Sequence, residues 1–138
     1  MVHSRNNLLF GLCLTLTFPT ITMGEWVHYS TEDNGDLSFY NKLQTTNDGD
    51  VIFMPHRRKY KTSVMGSYSR EIMLRFSCNK NIAYISKSTF FLDNSWKKPA
   101  MPMDKTSSQT IISPKSKLYY LLRKFCKKIQ LELAAPPP

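Results

Sequence analysis

Few residues in this 138-residue chain could do chemistry. Its three cysteines, Cys13, Cys78 and Cys126, could act as thiolate nucleophiles, as metal ligands or as a disulfide. Histidine is the side chain that titrates near neutral pH, and beyond the first 24 residues there are only His28 and His56. Neither sits in a catalytic spacing: the sequence holds no HExxH, GxSxG, P-loop or GxGxxG. His28 alternates with Trp26 along a strand-like stretch, the setting of a packed or surface residue rather than a ligand. Asp33, Asp36, Asp48 and Asp50 have the composition of a calcium loop. They lack the EF-hand spacing and its closing Glu, so they read as turn residues. The basic residues fall in two clusters. Arg57, Arg58, Lys59 and Lys61 form the first; Arg123, Lys124, Lys127 and Lys128 form the second. Such clusters attract polyanions over a range screened beyond about 8–10 Å at physiological salt. The expectation is binding without turnover: no catalytic residue, no cofactor and no metal.

What the cysteines do depends on the compartment. Residues 1–24 read as a signal peptide. Arg5 supplies a positive start, and no acidic residue precedes Glu25. Leu8 to Phe18 is an apolar run of 11 residues that Pro19 ends. That suits a signal core of about 7–15 residues and falls short of the roughly 20 a spanning helix needs. Thr22-Met23-Gly24 places small residues where cleavage before Glu25 requires them. Leu12 ahead of Cys13 is wrong for a lipoprotein signal, which carries Gly, Ala or Ser there. No transmembrane segment is expected in the mature chain. Cleavage leaves one small domain, residues 25–130, and a Pro-rich tail, residues 131–138, expected to be disordered. It also leaves two cysteines, Cys78 and Cys126, and an even pair in an exported chain reads as one disulfide.

The elements that would position these residues follow from periodicity. Glu25–Ser30 and Leu37–Asn41 have strand composition and flank Asn34-Gly35, a pair that suits a tight hairpin turn. Asn47–Asp50 is a second turn, and Val51–Met54 starts a third strand that Pro55 should end or place at an edge. His56–Lys61 then reads as a basic loop or strand end. In Tyr68–Cys78 the residues Tyr68, Ile72, Leu74, Phe76 and Cys78 share one parity, giving one buried face with Cys78 on it. Ile82–Phe91 gives one or two more strands, and Lys97–Ser108 is a connection rich in Pro, Ser and Lys. Ser113–Ile129 reads as one amphipathic helix, with Ser113 as cap and Pro114 in the first turn. Leu118, Leu121, Leu122, Phe125 and Ile129 form its apolar stripe, bordered by Cys126. Lys127 and Lys128 should lie in its last turn. The fold class is α+β: a twisted antiparallel sheet of about five to six strands, with the helix on one face and the two sulfurs in one layer.

Particular residues carry a family resemblance. They are Glu25-Trp26-Val27, the pair Phe39-Tyr40, Cys78 late in a strand, and Ile112-Ser113-Pro114-Lys115-Ser116 leading into a helix that ends at Cys126. In this order and spacing, over residues 26–127, the chain resembles the surface-adhesin protein E-like family of Gram-negative bacteria. The chain departs from the family at Asn41 and Ser77, where Asp is frequent, and in the Ile52-Phe53 region, where a tryptophan is frequent. The resemblance implies a twisted antiparallel sheet tied to a C-terminal helix by a disulfide. It also implies attachment to host extracellular-matrix or plasma proteins, and a place in the periplasm or at the cell surface.

Charge is divided along the chain. Residues 25–50 hold six acidic groups and one basic, whereas residues 51–138 hold 17 basic and four acidic. For an exported bacterial protein the polyanions at hand are anionic glycans, lipopolysaccharide and extracellular DNA. No nucleic-acid reading module is present, so no specific nucleic acid is expected. The leading expectation is a non-enzymatic binding module of the adhesin kind. The alternatives are a periplasmic structural or envelope-associated protein without a host ligand, and a small hydrolase of unrecognised site.

Overall fold

The structure is a computed structural model that describes residues 24–100 and 108–134. The expected signal peptide, residues 1–24, lies outside the described residues except for Gly24, as do residues 135–138 of the expected tail. The elements are β1 (Trp26–Thr31), β2 (Leu37–Asn41), β3 (Thr46–Asp48), β4 (Val51–Val64), β5 (Ser67–Ser77), β6 (Ile82–Phe91), β7 (Ser108–Thr110) and α1 (Lys117–Ala134). One antiparallel sheet holds all seven strands in the order β1-β2-β4-β5-β6-β7, with β3 paired to β4. The strands added to the expectation, β3 and β7, have three residues each, too few to show an alternation.

The largest correction is at β4. Pro55 does not end the strand, and His56–Lys61 is not a loop; both lie inside one strand of 14 residues. Pro55 is tolerated because of where its nitrogen points. At the start of the ladder the Cys78 N–H donates to Asp50 O, 2.8 Å away, so even-numbered residues of β4 bond to β5 and odd ones to the other side. On that other side β3 covers Val51–Phe53 and β2 covers His56–Lys59. Pro55 sits in the gap between them, where no N–H is needed. The Asn41 carbonyl opposite is satisfied instead by the Thr45 hydroxyl, at 2.6 Å.

The sheet face toward α1 carries Ile52, Met54, Leu74 and Phe76, each at most 1 % exposed. Leu122, Cys126 and Ile129 of α1 close over them, with Ala83 and Ile112. Burying one such side chain contributes about 1.5–3 kcal/mol, which is what holds a helix with a single apolar stripe in place. Cys78 and Cys126 are bonded, with Cα atoms 5.7 Å apart, as strand parity and helical spacing predicted. The helix starts three residues later than its Ser-Pro suggested. Ser113 and Ser116 close a turn that holds Pro114, and Ser116 is the cap, its hydroxyl accepting the Tyr119 N–H at 3.1 Å. The helix also runs on to Ala134, so Lys127 and Lys128 are not in its last turn, and residues 131–134 are helical backbone rather than tail.

The opposite face is covered too. The Arg57 guanidinium lies 4.0 Å from the Trp26 ring and 4.9 Å from the Trp96 ring, and pairs with Glu71 at 2.7 Å. Residues 92–99 fold back over this face, with Trp96 edge-on to Phe39 and the Ser69 hydroxyl donating to Asp93 O at 2.6 Å. That loop explains why Ser69 is fully buried on the polar parity of β5, whereas Tyr68, expected inside, is 42 % exposed.

Candidate functional site

On the α1 side of the sheet, beyond the N-terminal end of the helix, the core opens into a cavity of about 520 Å³. Its floor is made by successive cross-strand positions of β4 and β5: Arg58 opposite Arg70, His56 opposite Ile72, and then Leu74. The lining therefore grades from two guanidinium groups at one end to aliphatic side chains at the other. Ile85, Ile112 and Leu118 continue the apolar wall. Lys115 and Lys117 stand at the rim, as do Glu32 and Asp33.

Tyr29 reaches this cavity by alternation along β1: Val27, two residues earlier, pairs with Tyr40, whose partner in β4 is His56 on the cavity face. The register with β2 then shifts between His28 and Ser30, which leaves Tyr29 unpaired and brings Ser30 to the same face. Its hydroxyl bonds His56 Nε2 at 2.8 Å. Burial drives the His56 ring down to about 4, and the positive charges of Arg58 and Arg70 push the same way, so the imidazole is neutral at pH 7. Burial likewise pushes the Tyr29 phenol well above its ordinary value, with a smaller push from Glu32; a hydrogen bond with Ser38 and the Arg58 charge oppose it only in part. A neutral imidazole and a neutral phenol form a fixed polar pair rather than a poised acid and base.

The two arginines are held differently. Arg58 bonds Asp36 through both Nε (3.1 Å) and Nη2 (3.0 Å). Desolvation raises the Asp36 carboxyl, but the Lys61 backbone N–H, the Asn34 amide and the Arg58 guanidinium outweigh it and hold it below its ordinary range. Arg70 has no carboxylate partner among the described residues: its Nε donates to Ser88 Oγ at 3.0 Å and its guanidinium lies 4.9 Å from the Phe90 ring.

The two expected basic clusters fare differently. Arg57, Arg58, Lys59 and Lys61 do not form one patch, because alternation sends Arg58 to the cavity face and the other three to the opposite one. In the helix, Lys124, Lys127 and Lys128 are exposed, whereas Arg123 turns aside to donate to Cys78 O (3.2 Å) and Asn81 Oδ1 (3.3 Å). Sequence reasoning missed Tyr29, Asp36 and Arg70. Only Arg70 left a signal, a cation on the parity of Ile72, Leu74 and Phe76. Among the described residues no group of three His, Cys, Asp or Glu side chains could hold a metal, and no helix is long and apolar enough to cross a membrane.

No protein-family model and no curated protein matches the chain. Solved structures do. The selenomethionine form of Haemophilus influenzae protein E superposes with a TM-score of 0.59 at 10% identity, covering 74% of this chain and 85% of that one. Protein E from non-typeable Haemophilus influenzae gives 0.58 at 11% identity, covering 86% of each. The fold is similar to that of protein E. At this identity the likeness speaks for the fold alone: an α+β domain of one antiparallel sheet and one helix.

Proposed function

We propose that the chain is an exported, non-enzymatic binding module of the protein E kind, which holds anionic macromolecules against the outer face of α1. The observation that carries this reading is the placement of Lys117, Lys124, Lys127 and Lys128 within one stripe of the helix, turned away from Leu122, Cys126 and Ile129. The chain's basic excess, 19 Lys and Arg against 10 Asp and Glu, adds a long-range field of the same sign. Sulfated glycans and lipopolysaccharide fit that surface by charge. Host matrix or plasma proteins enter through the family resemblance. On this reading residues 1–24 are removed, and the chain works in the periplasm or at the surface of a Gram-negative cell.

Heparin chromatography tests the surface. Charge reversal of Lys124, Lys127 and Lys128 lowers the eluting salt concentration and reduces the salt slope of binding by about two to three, since fewer counterions are released. Reversal of Lys59 and Lys61, on the face opposite the helix, has a smaller effect. Equal elution of wild type and the helix variant refutes the assignment. Export is checked by intact mass: protein from the envelope fraction should start at Glu25, and a species retaining Met1 refutes it. Protease shaving of whole cells then separates the two locations. Release means the surface, whereas protection until the outer membrane is permeabilised means the periplasm.

A further inference from the structure

We propose that the cavity beside the Tyr29–His56 pair is a binding site for a small amphipathic anion, an aliphatic chain ending in a carboxylate, whose head group sits between Arg58 and Arg70. The first ground is the arginine pair itself. Arg58 and Arg70 are direct cross-strand partners on one face of the sheet. Like charges so placed destabilise a sheet. Asp36 offsets one of them, from the far side of Arg58. Arg70 has no carboxylate among the described residues, and its bond to Ser88 uses only Nε. A carboxylate lodged between the two guanidinium groups would neutralise the repulsion and take up donors the fold leaves over.

The second ground is the grading of the floor. From the arginine pair to the Met54–Leu74 pair is four residues along the strand, about 13 Å. Over that distance the lining passes from guanidinium, through His56 and Ile72, to Leu74 under Ile112 and Leu118. The apolar wall is aliphatic, which suits an alkyl chain. The volume of about 520 Å³ is that of a small-molecule site. Glu32 and Asp33 also line the cavity, in the turn after β1 at the same strand end as Arg58, and they offset part of the positive field there. The site shares only the rim residue Lys117 with the outer helix face, so the two readings succeed or fail separately.

The test is titration of the mature chain with decanoate, with acetate and decanol as probes lacking the chain and the charge. Decanoate should shift the amide resonances of His56, Arg58, Arg70 and Ile72 and raise the melting temperature at excess ligand. Decanol and acetate should each bind weaker by about tenfold or more, as should decanoate to Arg70→Gln. Without ligand, Arg70→Gln should melt no lower than wild type, because it removes a like-charge pair; a purely structural arginine would lower it. Absence of resonance shifts at these residues with decanoate overturns the proposal. So does equal binding of decanol, or undiminished binding by Arg70→Gln.

Discussion

Replacing both Cys78 and Cys126 by Ser should lower the melting temperature by about 15 °C or more while leaving most of the β-sheet signal in far-UV circular dichroism. The two cysteines are separated by 48 residues. On the chain-entropy model, freeing a loop of that length costs about 4 kcal/mol, a large share of what holds a small domain together. The loss should fall unevenly. The β4–β5 and β5–β6 ladders are long and do not involve the bridge. Helix α1 has one apolar stripe, packed on β1 and β4, and the disulfide is what ties it to the end of β5. Arg123 still reaches Cys78 O in the variant, but a partly exposed hydrogen bond contributes only about 1 kcal/mol. The helix should therefore loosen first, with helical ellipticity lost before sheet. Peptide mapping without reduction should recover both cysteines in one linked fragment. An unchanged melting temperature in the double variant, or free thiols in protein taken from the envelope, would refute this account of the staple.

How much of this was legible in the sequence depended on whether a feature was local. The Cys78–Cys126 bond was legible because two short-range periods, two residues in β5 and 3.6 in α1, each put a sulfur on the buried side. The length of β4 was not. A proline normally argues against an inner strand, and Pro55 escapes that only through the gap between β3 and β2, a fact of pairing rather than of composition. Reading His56–Lys61 as a loop or strand end followed from this, and it hid the separation of Arg58 from Arg57. Ser113 and Ser116 are both competent helix caps, and a turn around Pro114 decides between them. The cavity was the least legible. It needs the pairing that carries Tyr29 onto the face of His56 and the pairing that sets Arg58 against Arg70. Both are long-range, yet the position of Arg70 among apolar residues of one parity was visible in the sequence.

The buried histidine supplies the second large effect, a loss of stability in mild acid. His56 is 7 % exposed and sits among Tyr29, Arg58, Arg70 and Ile72, with Tyr40 directly opposite in β2. Burial first, and then Arg58 and Arg70, lower its pKa from 6.5 to about 4. The unfolded chain thus binds a proton that the folded chain refuses throughout that interval. Stability is full above pH 6.5, falls as the pH drops, and has lost the contribution of this group by about pH 4. A difference of that size corresponds to about 3 kcal/mol, or roughly 12 °C or more in the melting temperature of a domain this small. Asp36 and Asp93 act lower down. Both are held below 3.8 when folded, so stability present above that value is lost as the pH falls through their folded pKa values, outside the histidine window. His56→Gln isolates the effect, since the amide can still bond the Tyr29 hydroxyl but does not titrate. Between pH 6.5 and 4 the melting temperature of wild type should fall steeply, and that of the variant should stay nearly level. Parallel curves, or an NMR titration that puts the His56 ring near 6.5 in the folded protein, would show that the burial of this imidazole does not govern the acid limb. The same protonation would place a third positive charge beside Arg58 and Arg70. In the folded protein, therefore, an anion that stays charged at pH 4, such as an alkyl sulfate, should bind more tightly between those arginines as the pH approaches 4 and restore part of the lost stability.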